Sequence, residues 1–370
     1  MSTVLTAQLD AVPAAAKVNG RHRQLIIQRV LRQVQALWGN RIRDPVAWLA
    51  ANGEIFDELV AQAQSELVIL AADTIDTQLE AQGYGGPFDL TVEPEAFAGV
   101  SGDGRPTMGL AYAASTTVAL AENPSTYEWS KAGASLLVAV QTALSDTSRE
   151  AKKVQLSARR GAGWIRIVRP PCCARCAILA GKKAQGPWVG FQRHPGCDCD
   201  AVAVHDYRNR SAELAREGWH LDANEYFDSL TTKEQDRIFT KAGAQAIRDG
   251  ADPTQVINAR RGMTTVTDRF RATTQTTWEG TSKRGNAFQY LRAEYGKQLV
   301  KRGKYTYHAR PRLMPEEIYK ISNGDPDETL NLLYLNGYLT DTSPKLSGIE
   351  PRDAEVRAAR IRILERLLER

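Results

Sequence analysis

Five cysteines fall within 28 residues, as Cys172-Cys173-Ala174-Arg175-Cys176 and Cys197-Asp198-Cys199, and the rest of the 370-residue chain contains none. Cys173 and Cys176 make a C-x2-C pair, and His194 with Cys197 makes H-x2-C eighteen residues later. Four soft or borderline ligands in two close pairs suit a tetrahedral zinc ion, with each pair biting from one turn. Pro195-Gly196 forces a turn that turns His194 and Cys197 to one side. The fifth cysteine leaves the set open. Cys199 could replace Cys197, and Cys172 could replace Cys173. Cys197 and Cys199 alternate with Asp198 and Asp200, an extended pattern with both sulfurs on one face. The metal candidates are therefore Cys173, Cys176, His194, Cys197 and Cys199, with His205 a weaker one.

Four readings compete for this cluster. A structural zinc knuckle follows from the spacing. Reduced, metal-free cysteines in a small core follow from the general burial of free cysteine. A disulfide pairing is disfavoured, because five is odd and the first apolar stretch is too short for a secretory signal. Pro171-Cys172-Cys173-Ala174-Arg175-Cys176 imitates the P-C-x-x-C half of zinc deaminases. That chemistry also needs an upstream His-x-Glu or Cys-x-Glu, and the only upstream histidine, His22, precedes Arg23-Gln24. The deaminase reading fails.

Composition sets outer limits. Hydrophobic residues make up 42% and charged residues 25%, ordinary for a globular protein, and no run approaches the apolar length of a membrane span. Residues 1–125 carry 8 Lys/Arg against 14 Asp/Glu, a balance of −6, whereas residues 260–312 carry 13 against 3, a balance of +10. An acidic front and a basic rear imply different neighbours.

The elements that must position the cysteines read as a mainly α, α+β chain. A helix is expected from Arg21, on Leu25, Ile26, Val30, Leu31 and Val34, to Trp38, and a longer one over 46–79 with Ile55, Leu59, Ala63, Leu67 and Leu70 as its stripe. Glycine and proline at 82–107 mark a loop. Ser125 or Thr126 caps a long helix to about Arg159, with Leu136, Val140, Ala143 and Leu144 on one face. Its polar Thr142, Asp146 and Arg149 form either a buried polar network or a solvated face, and the solvated face is preferred. Trp164 to Arg169 alternates as a strand, with Ala201–Val204 as its partner, so the cysteines sit at the end of a small sheet. Helices return over 223–263 and 315–370, ending on an amphipathic stretch from Val356 to Leu368. The expected division is a helical region at 1–82, a Cys/His-containing domain at 83–263, a basic extended arm at 264–312 and a helical region at 313–370.

With these motifs assembled, Arg169 to Gly181 and Phe191 to Cys199 resemble the Mu-F-like minor head proteins of tailed bacteriophages, in the branch common in phages of actinobacteria. Further matching stretches are Tyr226-Phe227 through Gln235, Lys241-Ala242-Gly243, Ala246 to Asp252, and Val256 to Met263. The resemblance spans residues 90–340 in broad pattern. It implies head morphogenesis by a virion protein of the capsid interior, assembled in the host cytoplasm. The implied partners are the portal and the inner capsid or scaffold proteins, without a membrane, in support of DNA packaging or ejection. It implies no enzymatic activity. Some relatives carry nuclease or toxin domains at the C-terminus, which is the alternative; here residues 264–370 contain one histidine, His308.

The basic arm includes Arg260, Arg261, Lys283, Arg284, Lys301, Arg302 and Lys304, with Trp278, Tyr290 and Tyr305 interleaved. Phosphate neutralisation with optional stacking would suit nonspecific contact with packaged double-stranded DNA. The alternative is a solvated basic surface paired with acidic groups.

Overall fold

The computed structural model describes residues 7–8, 10–86, 89–169, 172–267, 273–281, 299–302, 305–308 and 311–339. The chain is mainly helical with small antiparallel sheets, as expected, and divides into two compact units. One comprises residues 3–171 and 179–221, the other residues 172–178 and 222–370.

In the first unit, α1 (Ala14–Trp38), α2 (Pro45–Glu80), α3 (Met108–Ala119) and α4 (Thr126–Ser157) pack on one another. Asp44 caps α2, its carboxylate accepting from the Ala47 N–H at 2.7 Å, and Pro45 occupies the first turn, where no N–H is needed. Ser125 caps α4. Val30, Val34, Phe56, Val60, Leu67, Val118, Leu136 and Val140 fill the core. At its end Trp38 stacks on Trp129 with centroids 4.2 Å apart, and Trp48 meets Trp38 edge-on at 4.6 Å. Each indole N–H is satisfied by a carbonyl, of Trp129, Leu37 and Gly39 respectively for Trp38, Trp48 and Trp129.

The helices differ from the sequence reading in which faces are buried. α1 begins seven residues earlier than Arg21, because its inner stripe continues through Ala16, Asn19, Gly20 and Arg23, where polar residues hide the period. Leu25 is 55% exposed and Ile55 54% exposed. In α2 the buried stripe runs instead through Phe56, Val60, Ala63 and Leu67.

The strands β1 (Gly163–Ile167) and β2 (Asp200–Val204) pair antiparallel, with Trp164 opposite Ala203 and Ile167 opposite Asp200. Every residue of both strands is buried, which explains their β-branched and small residues. Side chains from α2 and the turn after it serve β2: Gln78 accepts from the Ala203 N–H at 2.8 Å, and Gln82 donates to the Ala203 carbonyl at 2.9 Å. A helix, α6 (Ser211–Arg216), follows.

The second unit includes α5 (Ala174–Ala180) up to Ile178, then α7 (Ala223–Asp228), α8 (Thr232–Phe239), α9 (Lys241–Arg248) and α10 (Pro253–Arg261). Thr231 and Glu234 form a reciprocal capping box on α8, and Asp252 caps α10 beside Pro253. Within 264–312 the described residues form strands: β3 (Met263–Thr267) and β4 (Thr273–Thr277) join β7 (Arg312–Leu313) in one sheet, and β5 (Leu299–Arg302) pairs with β6 (Tyr305–His308). Thr276, Thr277 and Arg312 are buried, so part of this segment belongs to a packed core. The helices α11 (Pro315–Ser322) and α12 (Pro326–Leu335) complete the unit. The stretch 356–368 lies outside the described residues.

Candidate metal centre

The first ligand pair sits on the opening turn of α5. The Cys176 N–H donates to the Cys173 sulfur at 3.3 Å, and the Ala177 N–H donates to the Cys173 carbonyl at 3.0 Å. An N–H aimed at sulfur favours the thiolate, the form that binds metal. Cys172 turns away from this role: its Sγ donates to the Cys173 carbonyl at 3.3 Å, and its own carbonyl accepts from the Tyr226 hydroxyl at 2.7 Å. Burial, together with the nearby Cys172 and Cys173, pushes the Tyr226 hydroxyl well above the ordinary tyrosine range.

The second limb is the turn from His194 into β2. Gly196 takes φ 72°, and the Cys197 N–H closes the turn on the His194 carbonyl at 3.1 Å. The Gly196 N–H is held by the Thr142 hydroxyl at 2.9 Å. His194 Nδ1 lies 2.8 Å from the Pro195 carbonyl; with the proton on Nδ1, the Nε2 lone pair is left for a metal.

The donor atoms of Cys173, Cys176 and His194 lie within 4.8 Å of one another, and so do those of Cys176, Cys197 and Cys199. Cys176 belongs to both groups. All five residues named from spacing are thus brought together, while His205 instead meets Tyr84 edge-on with ring centroids 5.1 Å apart. Cys176, Cys197 and Cys199 are each at most 3% exposed. Thiolate and imidazole donors at this spacing fit a soft or borderline divalent cation, and zinc among these.

A buried ionic network, the alternative that the sequence reading set below a solvated face, carries the second limb. Arg149 donates to the carbonyls of Cys197 at 2.5 Å and Cys199 at 2.8 and 3.0 Å, and pairs with Asp146 at 3.0 Å. Arg193 completes the pair from the loop, and Asp146 raises its already high pKa. One strand residue on, Asp200 meets Lys152 at 2.8 Å and Arg23 at 3.6 Å. Burial alone would raise the Asp200 carboxyl, but Arg23 and Lys152 outweigh it and hold it well below the carboxylate range. Burial lowers Lys152, opposed by Asp200, and burial raises Asp198.

The reading of Asp146 and Arg149 as solvated is therefore corrected: Asp146 is 7% and Arg149 1% exposed. The signal was present in α4. The inward period of Leu136, Val140 and Ala143 continues at three- and four-residue steps through Asp146, Arg149 and Lys152.

Of the basic residues considered for DNA contact, Arg260 is engaged by Glu316 at 2.5 Å and by the Thr240 hydroxyl at 3.3 Å. Arg261 and Lys301 are exposed, and Arg302 lies on β5. Lys283, Arg284 and Lys304 lie outside the described residues. Among the described residues no helix is long and apolar enough to cross a membrane.

Comparison with protein-family models, curated proteins and solved structures finds no match to this chain.

Proposed function

We propose that the chain is a structural assembly protein of the Mu-F-like minor head kind, with its Cys/His cluster acting as a zinc staple. The observation that carries the staple is the meeting of Cys173, Cys176, His194, Cys197 and Cys199, donors from two turns far apart in sequence. Zinc held by four protein donors cross-links such turns and leaves no coordination position for a substrate. The chain's own residues prepare the site: Arg149 and Thr142 hold the second turn, and the Cys176 N–H orients the Cys173 sulfur.

The assembly role rests on the motif resemblance around this cluster. In that role the protein docks on the portal and inner capsid or scaffold proteins within the virion and supports DNA packaging or ejection. Packaged DNA is its further neighbour, and its exposed basic residues make nonspecific contact there.

Two measurements test the two parts. Metal analysis should find one zinc per wild-type chain and none in Cys176→Ser, which removes the donor common to both groups. Absence of stoichiometric zinc in the wild type defeats the staple. Co-expression with the portal protein should give co-purification and incorporation into procapsids; failure of both defeats the assembly reading.

A further inference from the structure

A second polar site lies within the first unit, lined by residues of β1 and of the segment between the two cysteine pairs. Trp164, Arg166, Lys182, Lys183, Gln185 and Gln192 contribute to the walls of an open cavity of about 140 Å³. That is room for about four or five waters at their ~30 Å³ liquid share, sufficient for a tetrahedral oxyanion. Among the described residues no carboxylate lines it. The wider sequence has the same bias, since residues 151–197 contain ten Lys/Arg and no Asp or Glu.

Arg166 is the unusual member. It is 4% exposed, its Nη2 donates to the Gln192 carbonyl, and its guanidinium lies 3.7 Å from the Phe191 ring centroid. Neither partner carries a negative charge, and Nη1 has no hydrogen-bond partner among the described residues. A buried guanidinium without a counter-charge is costly, and buried orphan donors are rare enough to call for an explanation. Lys182 and Lys183 add two exposed cations at the same cavity. Arg and Lys around a small cavity with amide side chains are the donor set that phosphate oxygens take.

We infer that this cavity is a phosphate-binding site, formed by Arg166, Lys182 and Lys183 with Gln185 and Gln192. The phosphate is either a free anion or the phosphodiester of a nucleic acid. Trp188, the residue before the lining Val189, is 68% exposed, with Arg208 5.8 Å from its ring centroid, and offers a face for a base in the second case.

The test titrates the full chain at low salt with inorganic phosphate by calorimetry, and with a labelled single-stranded oligodeoxynucleotide by anisotropy. Saturable binding of at least one probe is expected, weakened at least tenfold in Lys182→Ala/Lys183→Ala, whose exposed positions leave the fold intact. Arg166→Met should weaken it similarly, with circular dichroism confirming folding. Oligonucleotide binding more than tenfold tighter than phosphate assigns the site to nucleic acid, and comparable affinities assign it to the free anion. No binding of either probe, or binding unchanged in the double variant, overturns the proposal.

Discussion

Arg149 holds the Cys199 carbonyl with two donors of one guanidinium, Nε at 3.0 Å and Nη2 at 2.8 Å. A backbone oxygen gripped in this way holds the Cys199 peptide from which the sulfur projects. Asp146 fixes the guanidinium from its other side at 3.0 Å. The stiffness of the second cysteine limb is therefore set from α4.

Arg149→Met should lower zinc affinity by about 10–100-fold while leaving all five thiols in place, the range typical for loss of a group that orients metal ligands. Competition against a chromophoric chelator measures it. Arg149→Lys should not restore the loss, because an ammonium cannot serve two carbonyls and a carboxylate in one plane. Wild-type affinity in Arg149→Met would show that the turn is rigid without it.

Asp200→Asn leaves the buried charges of Arg23 and Lys152 without their carboxylate. Removing one partner of a buried ion pair costs about 3–5 kcal/mol, and adding Lys152→Met should recover part of that. The same carboxylate sets an acid limb. Its folded pKa is depressed, so its stabilisation is present above the ordinary aspartate value near 4 and is lost as pH falls through the folded value. Denaturant titrations from pH 6 to 2 should show a shallower acid loss in Asp200→Asn than in the wild type.

Gly133→Ala opposes two effects of known sign. Alanine favours a helix interior by up to about 1 kcal/mol. Its Cβ, however, would lie 2.6 Å from Trp38 Cδ1 and 2.7 Å from Nε1. Trp38 is locked by its stack on Trp129 and its bond to the Trp129 carbonyl, and overpacking typically costs about 1–3 kcal/mol. A net loss of about 1–2 kcal/mol with a shifted tryptophan emission is expected; a gain in stability would show that the indole yields.

Arg312 is the corresponding buried cation of the second unit. Its Nε donates to the Asn336 carbonyl at 2.6 Å, its Nη1 to the Glu279 carbonyl at 3.0 Å, and it lies 4.2 Å from the Tyr338 ring centroid. Arg312→Lys keeps the charge but loses the fork, stranding buried carbonyls at a cost of roughly 2–4 kcal/mol. Hydrogen exchange at α12 and β7 should accelerate if these bonds tie the two together.

Much of this was legible in the residues. Ser125 was read as a helix cap and caps α4, and Asp44-Pro45, Thr231 with Glu234, and Asp252-Pro253 stand at helix starts in the structure by the same local chemistry. β1 and β2 followed from short β-branched, alternating runs, too short for a helix. The faces of α1 and α2 were harder. Leu25 and Ile55 are apolar yet exposed, and Arg23 is charged yet 1% exposed, because a helix buries whichever side its neighbours cover.

For the metal centre, the sequence by itself determined which donors exist and that they come in two tight turns, since a C-x2-C or H-x2-C spacing closes locally. The tertiary structure decided that the turns meet, that Cys176 is common to both donor groups, and that Cys172 stands aside. It also decided the meaning of Asp146, Arg149, Lys152 and Asp200. A charged residue has no fixed burial until a partner of opposite charge is delivered to it, and here Arg193 reaches Asp146, and Asp200 reaches Lys152, from nearly fifty residues away along the chain.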